Sequence, residues 1–372
     1  MKITIERSSL ISCLGHVQSV VERRNTIPIL SNVLMAAENG RLSLTATDLD
    51  LSVVEAVDAE VGQAGATTTG AHMLYDIVRK LPDGAQVDLA LAADGGRLSV
   101  TSGRSSFKLP CLPREDFPVM SEGELPHRFT MSAADVGRLI DKSRFAISTE
   151  ETRYYLNGIY LHAANADGVA MLRAVATDGH RLAQVETPLP EGAAEMPGVI
   201  VPRKAILEVR RLIEGREGDI EIALSETKIR FGFGDAVLTT KLIDGTFPDY
   251  QRVIPIGNDK LLEVDREAFR AAVDRVSTIS TEKSRSVKLS LEKDKVRLSA
   301  TSPESGTADE ELAATYPGDE MEIGFNSRYL LDITSQIEGD ISRFALADAV
   351  SPTIVSDLGD ERALYVLMPM RV

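Results

Sequence analysis

The segment Asp178-Gly179-His180 is the sequence's nearest approach to a reactive site. A carboxylate two residues from an imidazole could pass a proton or hold a divalent metal, which would suit a metal-dependent hydrolase built around Asp178 and His180. Its surroundings argue against that chemistry. Ala46-Thr47 precedes Asp48, Ala176-Thr177 precedes Asp178, and Ala300-Thr301 precedes Ser302. A short polar side chain at the same point of a repeated unit is explained by turn capping, with no reaction required. His180 has no second His or Cys at ligand spacing, and only five His occur in the chain. Cys13 and Cys111 lie far apart and outside any Cys-x-x-Cys pair, so neither a zinc site nor a disulfide framework is supported. Both read as small buried apolar residues in a reducing compartment. The residues point away from an enzyme, with no metal and no cofactor, and toward a protein that works through its surfaces.

Those surfaces rest on a repeat. Ile3-Thr4-Ile5, Phe129-Thr130-Met131 and Leu262-Glu263-Val264 are each a short alternating strand. Helical patterns follow from Ser8 to about Val20, from Ser132 to Phe145 and from Asp265 to about Val276. Ser8, Ser132 and Asp265 are the expected N-caps, each offering an oxygen to the free N–H groups of the first turn. Phe269, Val273 and Val276 recur at helical spacing and mark one buried face. A second set of helical patterns covers 69–80, 201–213 and 325–337, ending near Gly84, Gly215 and Gly339, where a left-handed backbone position is expected. Hairpins follow at 87–100 and 229–242, and further strands at 42–47, 172–177 and 296–301. The pattern predicts an α+β protein of three similar domains, 1–125, 126–257 and 258–372, each made of two helix-plus-antiparallel-sheet halves.

Charge sets the main objection to a nucleic-acid partner. The 372 residues carry a formal net charge of −15, whereas duplex affinity comes largely from Lys and Arg neutralising phosphates. The charge is unevenly spread. The six helical windows 8–24, 71–80, 132–145, 202–213, 265–285 and 326–337 carry a net +7, leaving −22 on the strands and loops. Helices gathered on one surface would make it positive while the rest repels DNA. The N-terminus reads as a strand rather than a leader, and no run of 18 apolar residues occurs, so a cytoplasmic protein without membrane contact is expected.

Nine segments resemble one family over the whole length, the beta subunit of bacterial DNA polymerase III, or sliding clamp. They are Thr26-Ile-Pro-Ile-Leu-Ser-Asn, Ser43-Leu-Thr-Ala-Thr-Asp-Leu, Ser102-Gly-Arg-Ser, Arg153-Tyr-Tyr-Leu-Asn-Gly, Ala176-Thr-Asp-Gly-His-Arg-Leu, Val201-Pro-Arg-Lys, Phe247-Pro-Asp-Tyr, Glu322-Ile-Gly-Phe-Asn and Tyr365-Val-Leu-Met-Pro-Met-Arg-Val. The resemblance implies the DNA clamp fold: a half-ring that closes as a head-to-tail homodimer around double-stranded DNA, without base readout. It implies a processivity role in replication and repair, loading by a clamp loader, and DNA polymerases and repair factors as partners that bind through a short peptide. DNA contacts would fall to Arg24, Arg79, Tyr154, Tyr155, Arg203 and Lys204. His72 stands where some members carry a basic residue.

By matched position the partner peptide would meet Arg153, Leu156, Thr177, Gly179, His180, Arg181, Leu182, Pro248, Arg252, Val253, Asn326, Tyr329, Val350, Val366, Met368, Pro369, Met370 and Arg371. Adaptable Met side chains suit a site that serves many partners. Pro352 replaces a small hydroxyl residue found in some members. The dimer seam would set Arg104, Phe107 and Leu109 against Thr278, Ile279, Glu304 and Glu310. A peptide-binding scaffold that never meets DNA is the competing reading, separable by retention on circular against linear DNA.

Overall fold

The computed structural model describes residues 1–121, 123–280 and 285–371. Part of the 265–285 charge window, residues 281–284, and the terminal Val372 lie outside the described residues.

Among the described residues the six helical patterns form six helices: α1 (Arg7–Gln18), α2 (Ala71–Lys80), α3 (Ala133–Asp141), α4 (Arg203–Leu212), α5 (Arg266–Ser277) and α6 (Ser327–Thr334). Two of the three expected caps hold. Ser132 Oγ accepts from Asp135 N at 3.0 Å, and Asp265 Oδ1 accepts from Ala268 N at 2.7 Å. In the first copy the cap is Glu6 instead of Ser8. The preceding strand, Lys2–Glu6, runs straight into the helix, so the longer carboxylate reaches back to Ser9 N while Ser8 lies inside the first turn. A hydrogen bond from the Ser8 hydroxyl helps hold the Glu6 carboxyl below its ordinary range. Helix α3 stops short of Phe145. The Ser143 hydroxyl takes the Leu139 carbonyl, and the chain tightens into a 3-10 turn at Arg144–Ala146.

Gly84 and Gly215 take positive φ, +73° and +69°, but Gly339 does not. Its requirement is space. Glu338 N and Gly339 N both donate to Asp357 Oδ2 at 2.9 Å, and a Cβ on Gly339 would stand 2.5 Å from Asp357 Oδ1.

The chain condenses into two compact units. The first comprises residues 1–136, 190–197 and 204–242 and holds a 13-stranded sheet. That sheet is continuous because Ala236–Lys241 pairs antiparallel with Leu51–Asp58, joining the second repeat to the first. Its core follows the alternation of the strands: Leu42, Leu44 and Ala46 are fully buried, and α1 lays Leu10, Cys13, Leu14 and Val17 on the same strands. Each of these Leu and Val side chains contributes about 1.5–3 kcal/mol on leaving water.

The second unit comprises 137–189, 198–203 and 243–372. Its eight-stranded sheet is welded in the same way, Arg181–Pro188 pairing with Asp360–Leu367, and a four-stranded sheet completes it. Here α5 packs on α6 and buries Phe269, Ala272, Val273 and Val276, with the Phe269 ring 5.2 Å from that of Phe344. Compactness therefore follows the shared sheets and cuts across the threefold repeat.

Candidate nucleic-acid and peptide interfaces

The Thr-Asp segments are matched turns. Thr47 Oγ1 donates to Leu51 O at 2.9 Å, and Asp48 Oδ1 accepts from Asp50 N and Leu51 N. In the second copy Thr177 Oγ1 donates to Arg181 O at 2.7 Å, and Asp178 Oδ1 accepts from His180 N and Arg181 N. Ser302 Oγ accepts from Ser305 N in the third. Each carboxylate is engaged in holding its own backbone. No group of three or more His, Cys, Asp or Glu suited to a metal occurs among the described residues. Cys13 is buried, and burial pushes its thiol far up; Cys111, contrary to expectation, is only half-buried.

The second of these turns organises a concave surface on the second unit. Arg181 is buried, and its guanidinium donates to Asp178 Oδ2 at 3.1 Å, Asp332 Oδ2 at 2.5 Å and Phe145 O at 2.7 Å. The exposed His180 ring stacks against Tyr329 with centroids 6.3 Å apart. Burial raises the Tyr329 phenol and Asp178 adds to this, while Arg181, Arg328 and Arg285 act in the opposite sense. A hollow of about 450 Å³ is lined here by His180, Arg181, Asn326 and Tyr329 together with Arg144, Arg203, Arg285 and Arg328. A second hollow of about 610 Å³ is lined by Val350, Pro369, Met370 and Arg371 beside Ile323 and Gly324.

The C-terminal segment is fastened along this surface, Met368 N donating to His180 O at 2.9 Å and Met370 N to Gly324 O at 2.8 Å. The exposed Val350 is presented by an Asp348 turn, whose carboxylate accepts from Val350 N and Ser351 N and is thereby held below the ordinary range.

Not every matched residue is at the surface. Leu156, Leu182 and Val366 belong to a buried cluster with Val175, Ile200, Phe247 and Tyr250, so they form the floor. Thr177 is buried in its turn. Pro248, Val253 and Arg252 are exposed beside the 3-10 turn Tyr250–Val253, Arg252 pairing with Asp249 at 2.7 Å. Arg153 donates to Asp178 O at 3.3 Å and pairs with Glu150. Below the floor lies a polar anchor that the sequence did not announce. The Tyr250 hydroxyl accepts from Arg173 Nη1 at 2.9 Å, and Arg173 pairs with Glu186.

The basic residues separate into free and committed. Arg24 and Arg203 are exposed, with no carboxylate at ion-pair distance among the described residues. Arg23 and Lys80, not singled out from the sequence, share that state. Arg79 is exposed, pairs with Asp76 at 3.2 Å and lies over the Tyr75 ring, 5.7 Å from its centre. Tyr154 is 53% exposed, its ring edge-on to Tyr155. Lys204, by contrast, is tied to Asp48 Oδ2 at 2.5 Å and Val20 O at 3.1 Å. His72 is similarly held, its Nε2 2.8 Å from Val21 O. Part of the helical charge is spent locally as well, Arg138 and Lys142 on Asp360 and Arg275 on Glu310.

Two of the strands with an open edge bear on the expected seam. Ser105–Leu112 pairs along one side with Arg97–Ser102 and on the other only at Cys111 and Leu112. Gly306–Ala313 pairs on one side alone, with Lys295–Ser302. Arg104, Phe107, Thr278 and Glu304 are exposed and Ile279 is half-buried, but Leu109 is only 7% exposed and packs inward. Glu310 is held by Arg275 through two bonds of 3.0 and 2.5 Å.

Comparison with known proteins places this architecture. Models of the DNA polymerase III beta subunit match its N-terminal domain at residues 1–121, its central domain at 130–249 and its C-terminal domain at 251–371. The beta sliding clamp of Caulobacter vibrioides strain NA1000 is 56% identical over 372 residues, covering all of both chains. That of Escherichia coli K12 is 39% identical over 373 residues, again covering both in full. The crystal structure of a sliding clamp from Bartonella birtlesii bound to griselimycin superposes with a TM-score of 0.97 at 54% identity, and a Caulobacter crescentus clamp with 0.94 at 56%, each covering both chains completely. The fold is that of a sliding clamp. The chain belongs to the DNA polymerase III beta subunit family, whose members are non-catalytic processivity subunits of the replicative polymerase.

Proposed function

We propose that two copies of this chain join head to tail into a closed ring around double-stranded DNA, put in place by a clamp loader. The observation that carries this is the pair of open edges with opposite charge. Ser105–Leu112 is flanked by Arg104 and carries Lys108, while Gly306–Ala313 carries Asp309, Glu310 and Glu311 and follows Glu304. An unpaired edge is a template for another strand, and unlike edges suit a heterologous contact that closes by rotation. Phe107 and Ile279 supply the apolar part of the seam. Inside the ring, Arg24, Arg79, Tyr154, Tyr155 and Arg203 make weak phosphate contacts that permit sliding, with Lys204 set back by its bond to Asp48.

The repeat units then act as three domains, 1–125, 126–257 and 258–372. Polymerases and repair factors insert a short apolar peptide over the Leu156–Leu182–Val366 floor, between the rim at Pro248, Arg252 and Val253 and the tail from Met368 to Arg371. Pre-formed hollows with an apolar base and backbone polar groups at the rim suit such peptides.

The deciding experiment loads the protein on nicked circular DNA and then linearises it. Retention on the circle with loss from the linear form is expected. Equal retention on both would mean a phosphate-binding scaffold without a topological link.

A further inference from the structure

The 450 Å³ hollow contains more positive charge than the peptide site requires. Five arginines line it, Arg144, Arg181, Arg203, Arg285 and Arg328, against three carboxylates, Glu150, Asp178 and Asp332. The carboxylates are already engaged. Asp178 and Asp332 both bind Arg181, and Glu150 pairs with Arg153 at 3.2 Å. Arg144 pairs with Asp141 at 3.4 Å, its own side chain remaining 44% exposed. Arg203, Arg285 and Arg328 have no carboxylate at ion-pair distance among the described residues. In a chain of net charge −15 this is a local concentration of uncompensated guanidinium groups around a concavity, the arrangement that selects a carboxylate or phosphate.

We infer that this hollow receives one or more acidic side chains of the partner peptide, next to its apolar anchors, and that Arg203 and Arg328 read them. The inference rests on the peptide site proposed above. Four residues of that site, His180, Arg181, Asn326 and Tyr329, also form a wall of the hollow, so the two are continuous. An extended peptide advances about 3.3 Å per residue, which brings the immediate neighbours of an anchor into the hollow. A carboxylate suits it better than a nucleic-acid backbone. The hollow contains three carboxylates that would repel a run of phosphates, and the Tyr329 ring already packs against Arg181 and His180, which compete with any base for it. The chain would thus sort partners by charge beside the motif as well as by its apolar residues.

The test uses the full-length protein and fluorescein-labelled synthetic nonapeptides read by anisotropy. One peptide carries two leucines and a phenylalanine flanked by two Asp. A second replaces both Asp with Asn, and a third keeps the Asp and replaces the apolar residues with Ser. At 50 mM salt the Asp peptide is expected to bind about tenfold more tightly than the Asn peptide, and the gap should shrink to about twofold at 0.5 M. Arg328→Gln, and separately Arg203→Gln, should remove most of the gap while leaving the Asn peptide's affinity unchanged. Both positions are exposed, so the variants fold, and unchanged thermal melting confirms it. A gap that persists in both variants overturns the inference. So does a 12-nucleotide oligo-dT that displaces the peptide and is weakened by Arg328→Gln, a position outside the DNA-contacting set, because the hollow then serves nucleic acid. Tight binding of the Ser peptide defeats the apolar-site reading instead, and is distinguishable from either.

Discussion

The guanidinium carbon of Arg181 stands 4.3 Å from the centre of the Tyr329 ring. One side chain thereby ties the Thr-Asp turn, through Asp178, to helix α6, through Tyr329 and Asp332, and to the 3-10 turn, through Phe145 O. The two walls of the 450 Å³ hollow are held together by a single buried cation with every side satisfied.

Arg181→Met should therefore cost about 3 kcal/mol, the lower end for breaking a buried pair because Asp332 remains partly exposed. Arg181→Lys should recover only part, since an ammonium cannot fork to three acceptors and cover a ring at once. Urea midpoints at unchanged m-value measure both. A loss below about 0.5 kcal/mol would show that the arginine behaves as an ordinary surface cation.

Arg203 and Lys204 are neighbours in sequence with opposite situations, one exposed and free, the other bonded to Asp48 and Val20 O. Arg203→Ala should shorten residence on DNA and lower its salt dependence with no change in melting. Lys204→Ala should cost up to about 1 kcal/mol of stability, discounted because the lysine is 37% exposed, and change residence less. Residence times at 50 and 200 mM salt together with melting curves separate the two. The opposite pattern would reverse the assignments.

Acid should loosen the second unit at a definite place. Burial disfavours ionisation of Asp360, but hydrogen bonds from Arg138 and Lys142 outweigh it and hold the carboxyl below its ordinary range. A carboxyl whose folded pKa is depressed stabilises fully above its unfolded value, about 3.9, and this is lost as pH falls through the folded pKa. Asp360→Asn should be clearly destabilising at pH 7, with the difference from wild type shrinking below about pH 4. A difference constant from pH 7 to pH 3 would remove Asp360 from the acid transition.

The fold was legible where the information is local. The alternation of Leu42, Leu44 and Ala46, the spacing of Phe269, Val273 and Val276, and the caps Ser132 and Asp265 are decided within a few residues of chain. What escaped depends on long-range placement. No local pattern says that Ala236–Lys241 will pair with Leu51–Asp58, so the continuity of sheets across repeats was invisible. Gly339 resembles a helix-ending glycine, yet its reason is Asp357, 18 residues away. Lys204 matched a DNA-facing motif, but its commitment to Asp48, 156 residues earlier, cannot be seen from its neighbours. The basic hollow is a further case, because Arg144, Arg203, Arg285 and Arg328 are scattered through the sequence and meet only in space.

Closure of the proposed ring depends on the seam. Phe107 is 37% exposed on an open strand edge, whereas Leu109 packs inward, so Phe107 should carry the apolar contact. Phe107→Glu sets a carboxylate opposite the acidic Gly306–Ala313 strand and should convert a dimer of about twice 40.3 kDa into a monomer by light scattering, with melting little changed. Leu109→Ala should instead lower the melting temperature and leave the mass unchanged at high protein concentration. A Phe107→Glu protein that keeps the dimer mass would place the seam elsewhere.

The tail offers the most direct test of the peptide site. Met368 and Met370 are fastened by backbone bonds to His180 and Gly324, so the segment is shaped before any partner arrives. Truncation after Leu367 removes both fastenings, and with them the Pro369–Met370–Arg371 wall of the 610 Å³ hollow, while leaving the strand Asp360–Leu367 paired on both sides. The truncated protein should fold, keep its mass in solution and lose polymerase-peptide binding by more than about a hundredfold, or roughly 2.7 kcal/mol. Replacing Met368 and Met370 by Leu, which keeps apolar volume but loses the thioether's adaptability, should retain binding to one peptide and narrow the range of peptides accepted. Undiminished binding by a folded truncated chain would mean that partners dock on another surface.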